Sequence, residues 1–222
     1  MSRAALIAEL IILFILLPLG YRYTLVHTSI KIPALPLLWV VTGYAYWQLL
    51  RTPHFDRIAL WNGAAVSDSL KFIVPVFLVL ALLMWLGVHR FAPELEWNFI
   101  REHPKFWAIV MVAYPVLSVY PQGLLYRTFF FERYAVLFPQ KWLMILASAA
   151  AFAFLHIIFR NSLAVALTFG GGLLFAALYA ETNSLAASGL LHALFGCWLF
   201  TVGLGQYFYH GTIATLSTVM KR

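Results

Sequence analysis

The sequence predicts an all-α, polytopic membrane helix bundle with seven or eight transmembrane helices, and three observations carry that prediction. The 222 residues are 63% hydrophobic and 10% charged, against about 45–50% and about 25% in an ordinary soluble domain. Mean hydropathy is +0.86. Apolar runs recur at close to the roughly twenty residues a helix needs to cross the hydrocarbon core, with no heptad pattern, tandem repeat or low-complexity tract among them.

In order, the runs fall at 4–20, 33–50, 70–90, 105–126, 142–159, 162–180 and 184–204. A shorter apolar tail, 207–220, can pack as an eighth helix or lie at the interface. Arg3 ahead of the first run resembles a signal peptide, but Gly20-Tyr21-Arg22-Tyr23 lacks the small-residue cleavage pattern, so the run reads as a retained span. The longest polar connections, 51–69 and 91–104, hold enough Trp, Leu and Ile to lie on the membrane as short amphipathic pieces. The whole of 1–222 reads as a single integral membrane domain.

The net charge of +7 does not imply nucleic acid, because Lys and Arg are scattered between apolar runs rather than gathered on one face. Anionic lipid headgroups are the simpler partner. The two sides of the predicted bundle carry nearly equal numbers of Lys and Arg, so the positive-inside rule leaves orientation open. The single Cys197 excludes an intramolecular disulfide framework and a cysteine metal cluster.

Polar groups at membrane depth are costly and point to function. Four places qualify. In "YPQGLLYRTFFFERY", 120–134, Gln122 and Arg127 stand near the end of the fourth run; an α-helix puts 123 and 127 on one face and 122 on the adjoining flank. The competing reading has Arg127 reaching to the headgroups. His156 follows Phe152 by one turn in "AFAFLHII", where a packing histidine is the plain alternative. His192 shares a face with Gly189 and Gly196, a small-residue surface that can press against another helix. "ETNSL", from Glu181, is a polar break in which Asn183 and Ser184 can cap the next helix; its plain reading is a turn. Gly170, Gly171 and Gly172 allow close approach of a neighbouring backbone, which predicts a central helix.

Three successive runs thus each deliver a polar residue that a compact bundle can bring to one cavity. Two histidines suit either zinc binding through imidazole nitrogen or the orientation of a water and stabilisation of an oxyanion. Either arrangement suits hydrolysis of an amide bond.

These residues, in this order, resemble the CAAX protease and bacteriocin-processing (CPBP, or Abi) family of intramembrane proteases, which includes type II CAAX prenyl endopeptidases and myxosortase-like enzymes. The likeness covers about residues 105–205, the expected protease core. The family's Glu-Glu-x-x-x-Arg falls on Gln122 to Arg127 and its Phe-x-x-x-His on Phe152 to His156. A glycine-rich helix, Thr-x-Ser-Leu and His-x-x-x-Asn fall on Gly170 to Gly172, Thr182 to Leu185 and His192 to Gly196. The resemblance implies an intramembrane endopeptidase acting on a membrane-associated protein, near its C-terminal signal. It assigns His156, His192, Arg127 and Gln122 to catalysis and His156 and His192 to a possible zinc ion. The expected partners are a membrane protein or peptide substrate and the bilayer, the expected location a bacterial plasma membrane.

Two departures stand against full activity. Gln122 and Gly123 replace the motif's glutamates, and Gly196 replaces its last asparagine. Gln122 exchanges hydrogen bonds but cannot act as a general base at neutral pH, and a general base typically contributes about 10²–10⁴-fold. Glu132 and Glu181 are the carboxylates considered as replacements. A pseudoprotease scaffold that binds transmembrane segments without cutting them is the first alternative, and a small transporter the second. No internal two-fold repeat supports the latter.

Overall fold

The computed structural model describes residues 2–29 and 32–208. It is an all-α polytopic bundle in which seven long helices follow one another: α1 (Arg3–His27), α2 (Ala34–Arg51), α3 (Gly63–Phe91), α4 (Pro104–Tyr134), α5 (Lys141–Leu155), α6 (Ser162–Thr182) and α7 (Leu185–Val202). Six are long and apolar enough to cross a membrane: α1, α3, α4, α5 extended to Phe159 by a 3₁₀ turn, α6 and α7. The exception, α2, fills the predicted second run. Tyr44, Tyr46, Trp47, Gln48 and Arg51 lower the hydropathy of its second half. Of the apolar tail, residues 209–220 lie outside the described residues.

Four of the seven helix starts are set by side-chain caps. Ser2, Asn62, Asn161 and Ser184 each accept a hydrogen bond from the backbone N–H three residues on, satisfying one of the four free donors of a helix start. "ETNSL" is the tight turn of its plain reading. Asn183 closes α6 in the left-handed region (φ 44°), Ser184 caps α7, and Glu181 points outward to Lys141 at 2.5 Å.

The predicted close approach of the glycine-rich helix comes down to one residue. A Cβ on Gly172 would lie 3.1 Å from the Ala149 Cα, so α6 rides directly on the backbone of α5, whereas Gly170 has nothing within 4 Å. The connection before α4 is organised by Glu96. Its carboxylate accepts hydrogen bonds from the indoles of Trp85 (2.6 Å) and Trp97 (2.9 Å) and pairs with His89 at 2.9 Å. At the other end of the bundle Glu9 of α1 pairs with Arg133 of α4 at 2.8 Å and accepts the Tyr44 hydroxyl of α2 at 2.5 Å. Both carboxylate and guanidinium there are largely buried, a tie that holds α1 and α2 to α4.

Candidate active site

The helix that carries Gln122 and Arg127 is not a regular α-helix. α4 widens into π-helical turns at Pro115–Val119 and again at Leu124–Phe129, leaving Tyr120–Gly123 as one α-turn between them. Proline explains part of this. Neither Pro115 nor Pro121 has an N–H to give to the carbonyl four residues back, so Met111 O and Leu117 O are free to take donors from neighbouring helices. Leu117 O accepts the Trp39 indole of α2 at 3.0 Å, and Met111 O accepts weakly from the Cys197 thiol of α7 at 3.8 Å. The Tyr126 carbonyl, in the second π segment, accepts the Ser148 hydroxyl of α5 at 2.6 Å. Single π turns of this kind are frequent at functional sites. The wider turn also brings 122 and 127 closer in azimuth than the α-helical spacing assumed from sequence.

Arg127 does not reach the headgroups. It is 1% exposed, and no hydrogen-bond acceptor among the described residues meets any of its three guanidinium nitrogens. Aromatic faces hold it instead. Its guanidinium carbon lies 4.5 Å from the Phe152 ring centroid and 5.2 Å from that of Phe175. The same rings meet the histidines, Phe152 touching both and Phe175 touching His192. Phe152 meets His156 at 4.7 Å and His192 at 5.3 Å between centroids, and Phe175 stacks on His192 at 4.7 Å. Phe152 thus touches the guanidinium and both imidazoles.

A cavity of about 1710 Å³ opens on the other side of these rings. Gln122, Tyr126, His156 and His192 line it, while Arg127 stands behind the wall. The Nδ1 of His156 lies 2.7 Å from the Phe152 carbonyl. A carbonyl only accepts, so Nδ1 carries the proton and Nε2 is left as the ring's acceptor. Gln122 donates through Nε2 to Ser118 Oγ at 2.6 Å, and its buried Oε1 has no partner among the described residues. His192 Nδ1 is likewise buried without a partner, and Nε2 lies 3.4 Å from the Tyr114 hydroxyl.

Neither carboxylate considered as a replacement base reaches this wall. Glu132 is exposed, and Glu181 is exposed in its pair with Lys141. Among the described carboxylates only Glu102, on the short helix Asn98–Glu102, lines the cavity. Catalytic zinc takes three protein ligands. No group of three His, Cys, Asp or Glu side chains that could hold a metal occurs among the described residues, so the two histidines fall short of that donor set.

The small-residue face of α7 is used at one end only. A Cβ on Gly196 would overlap the Tyr114 ring, whereas Gly189 has nothing within 4 Å. Sequence reasoning missed Tyr114 and Ser118. Ser118 had a signal, one turn before Gln122 on the same face, whereas Tyr114 meets His192 across 78 positions of sequence.

Residues 104–198 match the family described as type II CAAX prenyl endopeptidase Rce1-like. Over that segment the chain resembles CAAX-type proteases. The segment runs from the start of α4 into α7 and carries Gln122, Arg127, His156, His192 and Gly196. This similarity, together with the apolar helices, supports an intramembrane protease in a lipid bilayer. No curated protein and no solved structure gives a significant match.

Proposed function

We propose that the chain is an intramembrane endopeptidase that hydrolyses a peptide bond of a membrane-associated protein near its C-terminal signal. The observation that carries the reading is the shared wall: His156 and His192 flank one phenylalanine, Phe152, and line the same cavity as Gln122. Water adds to the scissile carbonyl carbon, the C–N bond breaks, and the water's protons end on the leaving amine and the new carboxyl group. His156 Nε2 takes the proton from water, its ring held by the Nδ1–H bond to the Phe152 carbonyl. Gln122 Oε1 accepts a hydrogen bond from that water and orients it. His192 faces the developing oxyanion, and the fixed charge of Arg127 behind the two rings favours it further. The cavity exceeds the usual small-molecule range of about 300–1,000 Å³, and Leu13, Leu17, Leu38, Leu199 and Phe200 among its lining residues suit an apolar polypeptide segment.

The test compares protein termini in membranes of cells carrying the chain with those carrying the His156→Ala/His192→Ala variant at matched expression. Termini present only with the parent support the proposal and name the substrates. Identical termini, with the parent folded, overturn it.

A pseudoprotease scaffold is the second reading, favoured by the absence of a carboxylate at 122 and 123. Restoring one at 123 requires room, since a Cβ there would lie 2.6 Å from Leu185 Cδ1. The fair variant is therefore Gly123→Glu with Leu185→Ala. Cleavage that appears only in this double variant favours the scaffold reading for the parent.

A further inference from the structure

We infer that Tyr114 is a positioning residue of the candidate site: its phenol fills the space beside His192 that a side chain at 196 would take, and its hydroxyl serves as the polar partner of the His192 ring. Three observations meet here. A Cβ built on Gly196 would lie 2.5 Å from Tyr114 Cζ and closer still to Cε1 and the hydroxyl, so no side chain fits at 196 while the ring stays. The hydroxyl lies 3.4 Å from His192 Nε2, with the two rings perpendicular at 6.3 Å between centroids. Phe200 steadies the phenol edge-on at 5.4 Å.

The backbone explains how a residue on α4 comes so close to α7. Tyr114 is the last residue before the π turn at Pro115–Val119, and bare Gly196 leaves room for its ring on the facing helix. Of the two His192 nitrogens, Nδ1 is buried without a partner among the described residues, so the Tyr114 hydroxyl is the ring's one polar contact there. At 3.4 Å the pair is longer than a settled hydrogen bond, as catalytic pairs often are before substrate closes the site. The hydroxyl can donate to a bare Nε2 or accept from Nε2–H, so it partners the ring in either tautomer. This gives Tyr114 a task in the hydrolytic reading proposed above, and the role in turnover rests on that reading. The packing exchange between 114 and 196 does not.

The experiment therefore has arms that need no activity. Unfolding midpoints are measured in detergent for the parent, Gly196→Ala, Tyr114→Ala and the double variant. Gly196→Ala lowers the midpoint in the parent background and has no effect when Tyr114 is already alanine. An equal loss in both backgrounds overturns the exchange. In protein with ¹⁵N-labelled histidine, Tyr114→Phe, which keeps the ring, shifts the ring-nitrogen signals of His192 and leaves those of His156 in place. Unmoved His192 signals overturn the hydroxyl's role. Once cleavage is measurable, Tyr114→Phe lowers the rate of product formation without lowering the unfolding midpoint. An unchanged rate, with the histidine signals shifted, overturns the role in turnover alone.

Discussion

Replacing Phe152 tests whether one ring holds the buried cation and the histidine pair together. The side chain is 1% exposed, touches Arg127, His156, His192, Tyr126 and Phe175, and supports the close approach of α6 at Gly172. Phe152→Ala loses the buried ring and leaves a cavity, at about 3–5 kcal/mol. At this chain length that lowers the unfolding midpoint by about 6–20 °C. Phe152→Leu restores most of the volume but not the π face. It forfeits a desolvated cation–π contact worth about 2 kcal/mol and edge contacts worth about 0.5–1.5 kcal/mol each. The cation–π contact alone sets the expected loss of the leucine variant at about 2 kcal/mol or more. A thiol-reactive fluorogenic dye can follow unfolding, because Cys197 is the chain's only thiol and is partly buried between α4 and α7. A leucine variant within about 0.5 kcal/mol of the parent would refute the claim that the ring stabilises Arg127.

Other predictions concern charge and backbone. Arg127→Met removes a buried charge that has no acceptor among the described residues, so the fold should be as stable as the parent or more so, while any cleavage falls; thermal unfolding and terminus analysis on the same preparation read both. Gly203→Ala should cost more than about 1 kcal/mol, because φ is 108° and a Cβ would run into the Leu95 carbonyl; the unfolding midpoint checks it. Hydrogen bonds from His89 and then Trp85 outweigh the effect of burial and hold the Glu96 carboxyl below its ordinary value of 4.5. Its stabilising contribution is thus fully present above that value and lost as pH falls through the lower folded one. A midpoint that drops on acidification in the parent but less in Glu96→Gln bears this out, and parallel pH profiles contradict it.

Six of the spans were legible because uninterrupted apolar length is itself the physical requirement for crossing a bilayer. The 33–50 run reads as a span from its apolar residues, yet α2, the helix that fills it, is not among the six: it carries Tyr44, Gln48 and Arg51, and Tyr44 is tied to Glu9 of α1 and Gln48 to Tyr44. Gln122, His156 and His192 were legible as polar groups at depth, and their presence on one cavity wall is a property of the bundle that spacing alone does not give. Arg127 illustrates the limit. Sequence weighs snorkelling against cavity lining, and the observed place is neither: the guanidinium lies behind the wall between two rings. The π turns were equally hidden. Pro115 and Pro121 announce two missing hydrogen bonds, but whether the chain kinks, breaks or widens depends on donors such as Trp39 and Ser148 from other helices.

Hydrolysis by the His156–His192 wall can be tested without knowing the substrate. The purified, folded chain is added in H₂¹⁸O to membranes from cells that lack it, and new protein C-termini are read by mass spectrometry. The account predicts C-termini that carry one ¹⁸O and form with the parent but not with His156→Ala/His192→Ala. Termini without ¹⁸O, the same termini with the double variant, or none from a parent shown to be folded would contradict it.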